Sequence, residues 1–163
     1  MEYFPDSPIL NEICRYVESR YSFSYYDQLA FVTGRCFEYA YELYSRFGTD
    51  PSVRVVGRGC LTPGADLAAI SRSISAVDYN HFLLSIENGD TRVLFDAFGA
   101  EDYLSDVSDF DAVLWVSDAQ DFGRKLPLIS SGWERIRVYH TLTPEELTEK
   151  CIHIGIKEKE NKI

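Results

Sequence analysis

The chain has 163 residues, 45% of them hydrophobic, with 11 Tyr and 10 Phe, enough for one domain that buries about 68–70% of its unfolded surface in a single core. A formal net charge of −10 and a pI near 4.7 argue against a nucleic-acid or anionic-membrane surface, since both need clustered Lys and Arg to displace counterions; a basic partner surface stays open. The four cysteines, at 14, 36, 60 and 151, form no CxxC pair and the three histidines are scattered, so reduced thiols, no metal and no cofactor are expected.

The first stretch, MEYFPDSPILNE, lacks the basic n-region and long apolar run of a signal peptide, and no window reaches 18 uncharged apolar residues. A cytoplasmic location is expected, with export by a signal-less route left open. Ser7-Pro8 reads as an N-cap followed by proline at the first helical position, and Ile9, Ile13, Tyr16, Val17 and Arg20 continue at helical spacing. This predicts a helix of about four turns ending near Tyr21. The aromatic, turn-like stretch SFSYYDQLAFVTG then leads to a second helix beginning at or beside Cys36. Its Phe37, Tyr41 and Tyr44, with Ala40, Leu43 and Phe47, make most of the girth apolar before Gly48 stops it, so it should be central and buried.

Val53 to Gly57 alternates as a first strand, and CLTPGADLAAISRSISAVD is a long connection with room for a short helix. A hairpin follows, then the acidic AEDYLSDVSDFD, a strand over Ala112–Val116, a turn-rich piece and a strand from Glu134 to Tyr139. Thr143-Pro144-Glu145-Glu146 is a capping box that opens a C-terminal helix over about 143–158. One domain over 1–163, with two helices and then mostly antiparallel strands, is an α+β layout.

The hairpin is NHFLLSIENGDTRVLFDAFG, with Asn88-Gly89 as the dipeptide best suited to a type I′ turn. That turn pairs Glu87 with Asp90 and places His81 directly opposite Asp96. Phe82 then pairs with Phe95 and Leu84 with Val93 on a core face, while His81, Leu83 and Ser85 share the other face with Arg92, Leu94 and Asp96. Directly opposed side chains have Cβ atoms about 4.5–5.5 Å apart, close enough for a carboxylate to reach an imidazole. A turn at Gly89-Asp90 would instead put His81 opposite Phe98.

Among the cysteines, Cys36 has the distinctive context. A thiol in the first turn of a helix feels the positive end of the macrodipole and unpaired N–H groups, both of which favour the thiolate. Gly34 lets a substrate approach closely just before it. Cys14 and Cys151 fall inside helical patterns, and Cys60 is expected in a loop after Gly59. A helix-start Cys36, a strand His81 and an Asp96 opposed to it supply nucleophile, base and orienter.

The stretches TGRCFEYAYEL, DYNHFLLSI and VLFDAFG, separated by 45 residues from Cys36 to His81 and 15 from His81 to Asp96, resemble the papain-like and transglutaminase-like cysteine enzymes, among them small bacterial peptidases and protein-glutamine deamidases. The resemblance covers roughly residues 27–102. It implies a papain/transglutaminase-like α+β fold and an amide hydrolase or acyltransferase that acts on a protein or peptide through a thioester. It further implies Cys36 as nucleophile, His81 as general base and acid, and Asp96 as the group that fixes the imidazole tautomer. Gln28 stands eight residues before Cys36, where papain-like enzymes place an oxyanion-hole glutamine about six before; the backbone N–H of Cys36 is the alternative donor. Phe82-Leu83 follows His81 where many transglutaminase-like proteins have Ala or Val and then Trp. Two other readings stand beside this one: a non-catalytic interaction domain that keeps the fold, and a cell-wall amidase of the NlpC/P60 type, which uses a second histidine as orienter.

Overall fold

The computed structural model describes residues 7–20, 35–66, 68–69, 79–89, 91–102, 111–129 and 132–155. The first helix, α1 (Pro8–Arg20), is capped by the Ser7 hydroxyl, which accepts from the Leu10 N–H at 3.3 Å. It buries Leu10 and Ile13 against α2 (Cys36–Phe47), whose Phe37, Tyr39, Ala40 and Leu43 form the centre of the main core.

Gly48 ends α2 without the left-handed geometry of many C-terminal glycines: its φ is −72°. It is needed for space, because a Cβ there would lie 2.5 Å from the Tyr44 carbonyl oxygen and 2.6 Å from the Tyr44 ring. Gly48→Ala is therefore expected to destabilise the protein by about 1–3 kcal/mol, as overpacking does. Thermal unfolding followed by circular dichroism should show the melting temperature falling by several degrees, at about 2–4 °C per kcal/mol for a chain of this size.

Six strands form one mixed sheet: β1 (Val53–Leu61), β2 (Tyr79–Asn88), β3 (Thr91–Asp96), β4 (Gly99–Asp102), β5 (Asp111–Val116) and β6 (Arg135–Thr141), in the order β4-β3-β2-β1-β6-β5. Neighbours are antiparallel except β5 and β6. That parallel pair is joined by a crossover containing α3 (Ala119–Lys125) and a 3₁₀ turn over Leu126–Leu128. The last helix, α4 (Pro144–Ile154), opens with both hydrogen bonds of the Thr143/Glu146 capping box and ends at Gly155, where φ is 82°. Among the described residues no helix is long and apolar enough to cross a membrane.

The sheet packs Val53, Val55, Phe82, Leu84, Ile86 and Phe95 against α1, α2 and α4, and its other face buries Val56, Leu83, Leu94 and Tyr139. The fold is thus α+β, with the apolar central helix expected at Cys36. Five features go beyond or against the sequence reading. Leu84 pairs with Phe95 and Ile86 with Val93, and the ladder closes at Asn88↔Thr91, so the turn lies after Asn88, where Gly89 supplies a φ of 63°. Cys60 lies within β1 rather than in a loop. The acidic stretch begins with strand β4, and the turn-rich piece after β5 contains α3. The described C-terminal helix stops at Ile154, short of 158.

Candidate active site

Cys36 is the first residue of α2. Arg35, at the N-cap, gives no side-chain cap; its guanidinium lies 2.6 Å from Glu38 instead. The Phe37 N–H in the first helical turn hydrogen-bonds the Cys36 sulfur, and a second bond comes from the Phe82 N–H of β2. Strand geometry explains that second donor. The β2–β3 ladder runs from Asn88↔Thr91 to Leu84↔Phe95, so β2 continues toward Tyr79 past the end of the ladder, and the start of α2 meets it there.

Burial, which leaves the residue 8% exposed, is the largest influence on the Cys36 thiol and pushes its pKa up. Hydrogen bonding with His81, the Phe82 and Phe37 N–H groups, and the charge of His81 together outweigh it, so the thiol sits below its ordinary value. The imidazole shows the mirror image. Burial pushes His81 down, but Asp96 and Cys36 hold it above the ordinary histidine value. Both shifts favour a thiolate–imidazolium pair.

His81 Nε2 lies 3.0 Å from Asp96 Oδ2, leaving Nδ1 as the ring nitrogen for the sulfur. Nδ1 is buried and closes no hydrogen bond of ordinary geometry among the described residues, although thiol and imidazole shift each other's pKa. Thiol and imidazole are thus close enough to influence each other without an ordinary hydrogen bond to Nδ1.

The histidine–aspartate contact survives the corrected register for a geometric reason. A shift of two positions leaves every side chain on its expected face. Asp96 falls opposite Leu83 and diagonal to His81, and diagonal neighbours about 7–8 Å apart are still within reach of long side chains. Asp96 also does a second job: its Oδ1 accepts from the Phe98 N–H at 2.9 Å, closing the turn into β4. It is both the imidazole's partner and a turn cap.

Cys36 opens onto a groove of ≈ 440 Å³ lined by Arg35, Phe37, Glu38, Tyr79, Asn80, Phe82, Lys150 and Ile154. Of these, Asn80, Tyr79 and Lys150 were not singled out from sequence. Asn80 is the extra residue of a bulge, since Arg58 pairs with His81 but Gly59 with Tyr79. The bulge puts Tyr79 and Phe82 in contact, their ring centroids 5.9 Å apart. Bulges re-aim side chains in this way near functional sites, but a bulge has no compositional signature in DYNHFLLSI. Lys150 and Ile154 stand one turn apart on α4, a spacing that marks a shared face.

The other sequence-derived candidates divide clearly. Gln28 and Gly34 lie outside the described residues. His140 is buried on β6, where Nδ1 lies 2.5 Å from the Tyr79 hydroxyl and Nε2 is 3.1 Å from the Ser117 carbonyl and 3.3 Å from Glu146. Burial holds it below the ordinary histidine value, so it is neutral near pH 7 and Tyr79 donates to it. It supports the groove floor and does not orient His81. Among the described residues no group of three His, Cys, Asp or Glu side chains is placed to hold a metal. No family model, curated protein or solved structure matches the chain.

Proposed function

We propose that the protein is a cysteine-dependent amide hydrolase or acyltransferase of the papain/transglutaminase-like kind, a peptidase or protein-glutamine deamidase. The observation that carries this is the succession of the Cys36 thiol, the His81 imidazole and the Asp96 carboxylate, with Cys36 lining an open groove. The Cys36 thiolate attacks the carbonyl carbon of an amide, and the backbone N–H of Cys36 at the helix start receives the oxyanion. His81 gives its proton to the leaving amine, the C–N bond breaks, and a thioester remains. Water then attacks, His81 takes its proton, and release of the carboxylate restores the thiol. With a glutamine side chain the products are glutamate and ammonia; with an amine in place of water the product is a new amide. Asp96 holds the imidazole in the required tautomer throughout.

The structure supplies an internal comparison for the test. Cys60 is exposed whereas Cys36 is buried, so access favours Cys60 and thiolate character favours Cys36. At pH 6.5, mass-mapped iodoacetamide labelling should modify Cys36 at least about tenfold faster than Cys60, with Cys14 and Cys151 slower still. Rapid labelling of Cys60 with an inert Cys36 would instead support a non-catalytic interaction domain.

A further inference from the structure

We propose that the groove selects an acyl donor carrying a carboxylate beside the amide attacked, such as a peptide with aspartate or glutamate flanking the reacting residue, and that Lys150 recognises it. The inference rests on the cysteine-enzyme reading above and names its substrate class. Three charged side chains line the groove with Cys36: Arg35, Glu38 and Lys150. Arg35 and Glu38 face each other at 2.6 Å and largely cancel. Lys150 has no carboxylate within ion-pair reach among the described residues, and its ammonium lies 5.0 Å from the centroid of the Phe82 ring. A cation–π contact fixes a cation without neutralising it.

Phe82 is also the residue whose N–H bonds the Cys36 sulfur, so the lysine head stands over the residue that holds the nucleophile. The charge that lowers the thiol's pKa belongs to His81, which leaves Lys150 for the substrate. Phe37, Tyr79 and Ile154 give the same groove apolar walls for the aliphatic part of an acidic side chain. The net charge of −10 opposes an acidic ligand only at long range, where physiological salt screens it over about 8 Å. Inside the groove the near charge decides.

Two measurements test this. The first is the rate of Cys36 alkylation by anionic iodoacetate relative to neutral iodoacetamide, in wild type, Lys150→Met and Lys150→Glu. Methionine preserves an unbranched apolar stem over Phe82. The iodoacetate-to-iodoacetamide ratio should fall about threefold in Lys150→Met and about tenfold in Lys150→Glu, the range of a partly exposed charge contact. The second uses paired peptides with Glu or Lys beside the reacting residue: wild type should favour Glu in kcat/KM by about tenfold, and Lys150→Glu should favour Lys. An unchanged ratio, or the same peptide preference in wild type and Lys150→Glu, overturns the proposal. A wild-type Cys36 that reacts sluggishly with iodoacetamide itself would sink the enzyme reading and this inference together. A reactive Cys36 with a constant ratio would sink this inference alone.

Discussion

His81→Ala should move the alkylation-versus-pH curve of Cys36 to higher pH, slow labelling at pH 6.5 by about tenfold and reduce amide turnover by at least about 10⁴. The direction follows from the balance at the thiol. Burial opposes ionisation and is the largest single influence; the His81 hydrogen bond and charge are what reverse it. Without the imidazole only the Phe37 and Phe82 N–H groups remain on the thiolate's side, so the pKa rises. Each unit of rise costs tenfold in thiolate at a fixed pH below it, partly offset by the greater nucleophilicity of a more basic sulfur. Labelling therefore slows by less than the thiolate fraction falls. Turnover suffers far more, because the leaving amine also loses its proton donor. An alkylation curve that does not move would show that His81 has no hold on the sulfur.

Asp96→Asn should separate stability from catalysis, and the reason lies in the two oxygens. Asp96 Oδ2 serves His81 while Oδ1 accepts from the Phe98 N–H. An amide has one acceptor oxygen. If it stays with Phe98, the amide NH₂ faces His81 Nε2 and favours the tautomer with its proton on Nδ1, toward the sulfur, where a base is required. Melting temperature should stay within a few degrees of wild type while turnover falls on the order of 10²–10⁴. Asp96→Ala loses the turn bond as well and should lower stability by about 1–2 kcal/mol on top of the same catalytic loss. Thermal unfolding and kcat measured on the three proteins decide it; an active Asp96→Asn would mean that the imidazole is oriented by something else.

The parts of this fold that could be read in advance are those written in local chemistry. Ser7-Pro8, the Thr143 capping box and the helix start at Cys36 are each specified within four residues, and the structure has all three. The hairpin was ambiguous because NGD offers two tight turns, Asn88-Gly89 and Gly89-Asp90. These differ by two positions in register, so the wrong one still gave the right faces. Strand β4 is a four-residue edge strand in a polar stretch and lacks hydrophobic alternation. Helix α3 is seven residues long with Gly123 inside it; it is held by the Asp118 cap and by burial of Phe122, and tertiary packing overrides its weak propensity. The pairing of β5 beside β6 depends on a crossover that no short-range pattern records. The same holds for the approach of Lys150 to Cys36, which joins residues 114 positions apart in the chain.

The hairpin register also makes the distance between His81 and Asp96 a discrete quantity. With both faces of β2 and β3 committed to packing, β3 can slide only in steps of two residues, about 6.8 Å each. One step in one direction would bring Asp96 directly across from His81, still in reach. One step in the other would place it across from Ser85, beyond any side chain's span from His81. Length changes at the hairpin tip are therefore not graded adjustments of the pair: a single-residue slip inverts both faces, and a two-residue slip either keeps the contact or removes it altogether. A turn remote from the sulfur thus acts as a digital setting, so insertions and deletions at that tip should be tolerated or fatal according to their parity and direction rather than their size.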